Sequence, residues 1–163
     1  MEAHDAIRSV LGTAQFVLFA YLKDLSSADL MLRPTKNANH LAWQLGHLLV
    51  NEHRASEAMK PGVPPALPAG FAEAHGKDKV TSDNARDFWS KEEYLKLFSE
   101  QREATLSILE SFSASELDNP GPEFMRAYAP TIGLALMMAG VHVLQHVGQI
   151  AVVRRTLNKP VVI

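Results

Sequence analysis

His142-Val143-Leu144-Gln145-His146-Val147-Gly148-Gln149-Ile150 lies inside a longer stretch, 132–153, that is otherwise almost wholly Ala, Val, Leu, Ile, Met and Gly. Nothing in it alternates as a strand does, and its polar members fall at helical steps, so it reads as a helix with most of its surface buried. At about 100° per residue, His142, Gln145, His146 and Gln149 fall within an arc of about 100°. Polar groups on a buried helix cost free energy unless they find partners, so four of them on one arc imply a shared purpose. The helix is expected from about Pro130 to Leu157. Pro130 suits the first turn, Arg154 and Arg155 suit the negative C-terminal end, and Lys159-Pro160 follows the stop.

Working back along the chain, three more segments carry the same period. The first runs from about Ala3 to Leu25, with a seam of Ile7, Leu11, Ala14, Leu18, Leu22 and Leu25. Val10, Phe16, Val17 and Phe19 widen its apolar surface, as expected of a central helix or one that meets a second subunit. A second helix, from about His40 to Met59, is N-capped by Asn39, has a core stripe of Leu41, Leu45 and Leu48, and ends at Pro61-Gly62. A third opens on the capping box Ser90-Lys91-Glu92-Glu93 and runs to about Phe112. Its seam is Tyr94, Leu97, Phe98, Leu106 and Leu109, with Gln101 and Thr105 lightening the middle. Residues 61–87 form a long Pro- and Gly-bearing loop, mobile or functional, and 113–129 is irregular. The expectation is an all-α fold, a four-helix bundle forming one domain over 1–163.

Composition narrows what such a bundle does. The chain has 163 residues, 47% hydrophobic and 21% charged, with a formal net charge of -2 and no basic run. That argues against a nucleic-acid partner, whose phosphates call for clustered Lys and Arg. Glu2 and Asp5 take the place of the basic n-region a signal peptide needs. The longest apolar run, 130–141, falls short of the roughly 20 residues that span a bilayer. A soluble, cytoplasmic protein with no membrane partner is expected. The chain contains no cysteine and seven histidines, so a transition-metal site must be built from His, Asp and Glu.

His142 and His146 are one helical turn apart, so their imidazoles can converge on one ion. Two other readings stay open: buried histidines satisfied by hydrogen bonds, or a solvated arc, which would more usually carry Lys, Glu or Asp. A third ligand would come from His4, His40, His47, His53 or His75. His47 is favoured by position, mid-helix beside the Leu45 and Leu48 stripe and after Gly46, which would let another helix approach. His40 and His53, near the helix ends, are expected to face solvent, and His75 lies in the loop. Three imidazoles would leave positions open for water or substrate, the catalytic rather than the closed structural pattern. Val143 follows His142, so no HExxH general base is present. Ala139 and Ala135, about one and two turns before His142, either leave room for a substrate or allow tight helix packing.

At this point a resemblance enters. Asn39-His40-Leu41-Ala42-Trp43-Gln44-Leu45-Gly46-His47-Leu48 resembles the second-helix motif of the DinB/YfiT-like superfamily, and His142–Ile150 resembles its last-helix motif. The order of elements is similar over the whole chain. The resemblance implies a four-helix bundle, often a homodimer, with a divalent metal ion such as zinc or nickel on His47, His142 and His146. Relatives include thiol S-transferases that use bacillithiol or mycothiol and a thiol-dependent maleylpyruvate isomerase. The function it implies is a metal-dependent enzyme that activates a low-molecular-weight thiol for transfer to a small-molecule electrophile. Gln145 or Gln149 would then support the ligands or touch substrate, and Trp43 could line an access channel. Arg33, Arg54, Arg126 and Arg155 could meet an anionic substrate. A metal-dependent hydrolase is the alternative, but Glu52, the nearest carboxylate in sequence to His47, lies about 140° around the helix from it. A non-catalytic metal-binding stress-response dimer is the third reading.

Overall fold

A computed structural model describes residues 2–163. Four long helices dominate: α1 (Ala3–Leu22), α2 (Leu41–Met59), α4 (Lys91–Glu110) and α5 (Ile132–Thr156), with a one-turn helix α3 (Phe71–Ala74) between α2 and α4. Among the described residues there is no strand, only an isolated antiparallel bridge between Pro120 and Thr131. The all-α expectation holds. On α4 Leu97 and Leu106 are only half-buried while Gln101 and Thr105 are buried, but elsewhere each helix buries the seam its period marks out. On α1 this is Ile7, Leu11, Ala14, Leu18 and Leu22, packed chiefly against α5. The main core gathers α1, α2, α4 and α5 around Leu18, Leu45, Leu49, Phe98, Val143 and Ile150. A second cluster joins Ile7 and Leu11 to Ile108, Leu109 and Leu136 toward the other end.

Helix ends show where local chemistry was read well and where it was not. The capping box at α4 is present: Ser90 Oγ accepts from the Glu93 N–H, and the Glu93 carboxylate accepts from the Ser90 N–H at 2.8 Å. α2 is not capped by Asn39 but by His40, whose Nδ1 accepts the Trp43 N–H at 3.0 Å. Pro130 precedes the N-cap of α5 instead of occupying its first turn, and Thr131 takes the capping role. Asn158, in the left-handed region at φ 53, closes α5. The Lys159 N–H reaches the Arg154 carbonyl at 2.9 Å and the Asn158 N–H reaches that of Arg155 at 3.0 Å, the pairing of a Schellman stop. α1 ends at Leu22, three residues before its expected stop, although Leu25 is still buried.

By length and mean hydropathy α5 would pass for a membrane-crossing helix, which the uninterrupted apolar run at 130–141 does not. Counting consecutive apolar residues misses this because the histidines and glutamines interrupt the run. In the fold α5 packs against α1 and α2, with the side chain of Arg154 buried at its C-terminal end against the Tyr21 carbonyl (2.8 Å) and Asp24.

Polar residues in mid-core are paired. The buried Arg102 of α4 clasps the buried Glu52 of α2, with Nη2 at 2.9 Å from Oε2 and Nε at 2.9 Å from Oε1. Thr105 donates to Glu52 at 2.8 Å, and Arg102 Nη1 donates to the Leu11 carbonyl at 2.8 Å. Burial of such a pair is tolerated only because nearly every donor and acceptor finds a partner.

The segment between α2 and α4 folds back as a flap on the end of α2 that carries His40 and Gly46. His75, expected in a mobile loop, is 3% exposed. Its Nδ1–H donates to the Phe71 carbonyl at 2.7 Å and its Nε2 accepts from the Tyr94 hydroxyl at 2.7 Å. Its ring rests on Gly46, where a Cβ would lie 2.0 Å from a ring carbon, so the close approach that Gly46 permits is to an imidazole and not to another helix. His40, expected at the surface, is fully buried and donates from Nε2 to the Ser82 carbonyl at 3.1 Å.

Burial pushes the His75 imidazole down to about 4 from its usual 6.5. The unfolded chain therefore takes up the proton first as pH falls, and stability present above 6.5 is lost progressively between 6.5 and about 4, amounting to about 3 kcal/mol for this one group. Denaturant unfolding of the metal-free protein across this range is expected to show a shallower pH slope for His75→Gln than for wild type. Equal slopes would mean that His75 is not held neutral by the fold.

Candidate metal centre

α2 and α5 run side by side through the core, and each presents histidines at the level where they face one another. His47 on α2 meets His142 and His146 on α5, with ring centroids 5.1 and 5.6 Å away, and the latter two are 4.9 Å apart. One nitrogen from each ring can be chosen so that all three lie within 4.8 Å of one another. A four-coordinate zinc with bonds of about 2.0–2.1 Å holds its ligand nitrogens about 3.3 Å apart. Side-chain rotations of roughly an ångström would therefore bring this set onto a divalent ion. The triad can hold a metal ion, and no Cys, Asp or Glu joins the three among the described residues.

The rings are prepared in distinct ways. His146 Nδ1 donates to Gln44 Oε1 at 2.8 Å, and the Gln44 amide nitrogen donates in turn to the Asn39 carbonyl at 2.6 Å. That chain fixes the tautomer and leaves the His146 Nε2 lone pair free, the arrangement by which an outer partner orients a metal-binding imidazole. His47 stacks on Trp43, ring centroids 4.8 Å apart and planes 12° from parallel, while the Asn51 amide lies 3.2 and 3.3 Å from its ring nitrogens and donates to its backbone carbonyl at 2.7 Å. Trp43 is itself tethered, its indole N–H donating to the Gly76 carbonyl at 3.1 Å, so the flap and the His47 ring share one support. Burial, then the neighbouring imidazoles, push His142 and His146 down to about 4, and burial lowers His47 too. At neutral pH all three are uncharged, the form in which imidazole binds metal.

The other histidines weighed as third ligand are engaged elsewhere. His4 donates to the Phe112 carbonyl at 2.8 Å and His53 to Gln101 Oε1 at 3.2 Å. His40 and His75 have both ring nitrogens in hydrogen bonds of the flap. Of the glutamines on the α5 arc, Gln149 is exposed and Gln145, also exposed, lines the cavity beside His142; neither hydrogen-bonds one of the three histidines. The supporting amide is Gln44, which sequence reasoning missed. A signal was there, since Gln44 interrupts the Leu41, Leu45, Leu48 side of α2 as the histidines interrupt α5. Trp43 buttresses His47 and is not among the residues lining the cavity beside His142.

Beside His142 a cavity of about 260 Å3 opens between α2 and α5. Ala135 and Ala139 both line it, and Ala135 also packs in a small cluster with Ala55, Met125 and Ala129, so room and close packing coexist on this face. The segment 120–131 closes over it, pinned at its base by Gly121 N–H to the Pro130 carbonyl (2.9 Å) and Ile132 N–H to the Asn119 carbonyl (2.9 Å). Gly121 has no space for a Cβ, which would lie 2.9 Å from two carbonyl oxygens. None of Arg33, Arg54, Arg126 and Arg155 lines the cavity.

Replacing Gln44 by Leu keeps the volume of the core but removes the acceptor that orients His146. Metal affinity, measured by competition with a chromophoric chelator, is expected to fall about 10–100-fold with the helical content unchanged. Unchanged affinity would show that the His146 ring needs no such partner.

No curated protein matches the chain. A family model does: that of the DinB superfamily, over residues 11–150. The matched span begins within α1, ends within α5 and takes in all three converging histidines together with Trp43 and Gln44. The chain belongs to the DinB superfamily.

Proposed function

We propose that the protein is a metal-dependent enzyme that transfers a low-molecular-weight thiol to a small electrophile, with His47, His142 and His146 holding zinc or nickel. The observation that carries this reading is a set of three neutral imidazoles with no fourth protein donor among the described residues, standing at the wall of a cavity. An ion held by three ligands keeps positions for an exogenous group, whereas a structural site closes all four. Both zinc and nickel suit neutral imidazole.

Bound there, a divalent ion would supply the Lewis acidity that lowers a thiol's pKa. The residues of the chain do the rest. Gln44 and Trp43 hold His146 and His47 in place, and the apolar walls exclude water from the reacting groups. In the net reaction the thiol loses its proton to solvent, its sulfur forms a bond to the electrophilic carbon, and the leaving group departs with the bonding electron pair. With no cysteine in the chain, the nucleophilic sulfur has to be brought in. The hydrolytic alternative is weakened by Glu52, whose carboxylate is taken up by Arg102 and Thr105.

A second copy of the chain is the partner we assign to the outer face of α5. Leu134, Val141 and Val152 stay 44%, 42% and 37% exposed and recur on one stripe, with Leu144 beside it.

Elemental analysis of untagged protein is expected to find about one equivalent of zinc or nickel, lost in a still-helical His142→Ala, His146→Ala double variant. A panel of low-molecular-weight thiols with 1-chloro-2,4-dinitrobenzene is expected to give thioether at least tenfold above the rate without enzyme, and the double variant to give none. Bound metal without transfer to any electrophile would overturn the enzymatic reading, and absence of metal would overturn the whole of it. Light scattering is expected to give twice the chain mass for wild type and the single mass for Val141→Lys, and a monomeric wild type would remove the second copy.

A further inference from the structure

The cavity beside His142 has a chemical character of its own. Its charged side chain, Glu52, is 4% exposed, and its carboxylate is committed to Arg102 and Thr105. No lysine or arginine lines it. The floor is made of the small Ala135 and Ala139 of α5, and the mouth of two aromatic rings, Phe124 and Tyr128, that remain 36% and 59% exposed. Asn51, whose amide lies beside the His47 ring, lines the cavity as well, so its side chain touches both compartments. An anion entering here would lose its hydration with no cation to receive it, a cost an apolar molecule does not meet. The volume of about 260 Å3 falls just below the range of drug-sized ligand sites, which run from about 300 Å3 upward, so the occupant must be compact.

We infer that this cavity is the acceptor subsite and that it takes a compact, uncharged, largely apolar or aromatic molecule, seated between the Ala135–Ala139 floor and the Phe124–Tyr128 mouth. The inference rests on the transfer reading for the name acceptor, but the selectivity of the cavity stands on its lining alone. Seated there, a ligand is next to His142 and therefore next to the place where the three imidazoles converge. Arg102 is taken up by Glu52, and Arg54 lies 3.9 Å over the Phe124 ring without lining the cavity, so an anion would be held at the rim instead of inside.

The test compares nitrobenzene with benzoate, two molecules of nearly the same shape, one neutral and one anionic. The metal-loaded protein is labelled at its methionine methyl carbons, and the Met125 and Met138 signals are followed by NMR on titration. Nitrobenzene is expected to shift both signals saturably and to bind at least tenfold tighter than benzoate. Ala139→Leu, which fills the floor, is expected to abolish the shifts while metal content stays at the wild-type value. If that variant does not fold, Phe124→Ser, at a half-exposed ring, is expected to weaken nitrobenzene at least fivefold. Benzoate binding as tightly as nitrobenzene, no shift with nitrobenzene, or full binding by both variants would each overturn the assignment. The thiol-transfer assay reads the other claim separately: nitrobenzene binding without any transfer removes the enzymatic reading and leaves the selectivity of the cavity, whereas transfer without nitrobenzene binding removes the subsite alone.

Discussion

An imidazole taken out of water must have each ring nitrogen satisfied, by a donor, an acceptor or an ion, and must give up its charge to stay there. Five histidines of this chain are brought out of bulk water around α2, and the way each meets that demand organises the region. His40 and His75 meet it with hydrogen bonds at both nitrogens, to Trp43 and Ser82 in one case and to Phe71 and Tyr94 in the other. They are finished, and what they finish is the flap over α2. His146 is half finished, held at Nδ1 by Gln44 and bare at Nε2. His47 has the Asn51 amide at its edge and an indole on its face, and His142 has no hydrogen bond from its ring among the described residues. The unfinished nitrogens face one another, and that convergence makes the region a site.

The scaffold keeps the two kinds of polarity apart. Glu52, only five residues beyond His47, would be the natural carboxylate to enter the metal centre or to serve it as a base. Arg102 takes it instead, from the opposite side of α2, and burial of both groups makes that pairing hard to leave. Thr105 fixes the second contact to Oε1. The result is an uncharged donor set with the buried Arg102–Glu52 pair close by, and the two do not mix because the helix carries His47 and Glu52 on different faces.

Periodicity alone located the four long helices, because most of each apolar seam is buried as its spacing demands, from Ile7 to Leu22 on α1 and at Tyr94, Phe98 and Leu109 on α4. The triad was legible for a related reason: polar residues on a buried helix have to be accounted for, and His47 was favoured by its mid-helix position, which the family motif matched. What could not be read was anything that depends on contact between distant segments. His75 looks like a loop histidine until Phe71 and Tyr94 close around it, and His40 looks like a helix-end histidine until residues near Ser82 cover it. Gln44 carries a weaker signal, a single amide interrupting an apolar stripe, and its pairing with His146 depends on α2 meeting α5. The N-cap moved by one residue because an imidazole nitrogen can do what an Asn oxygen does, provided the ring is held.

α5 carries two functions in sequence along one axis. Its first turns supply the small floor residues Ala135 and Ala139, and its later turns supply His142 and His146. A methyl group more or less on the floor changes the shape of what fits without touching a ligand nitrogen, and a change in the ligands leaves the floor as it was. If the protein is the enzyme proposed above, mutation would retune selectivity and reactivity in separate steps on a single helix. A lineage built on this plan would explore new small molecules by drift at two alanines while the three histidines are inherited intact.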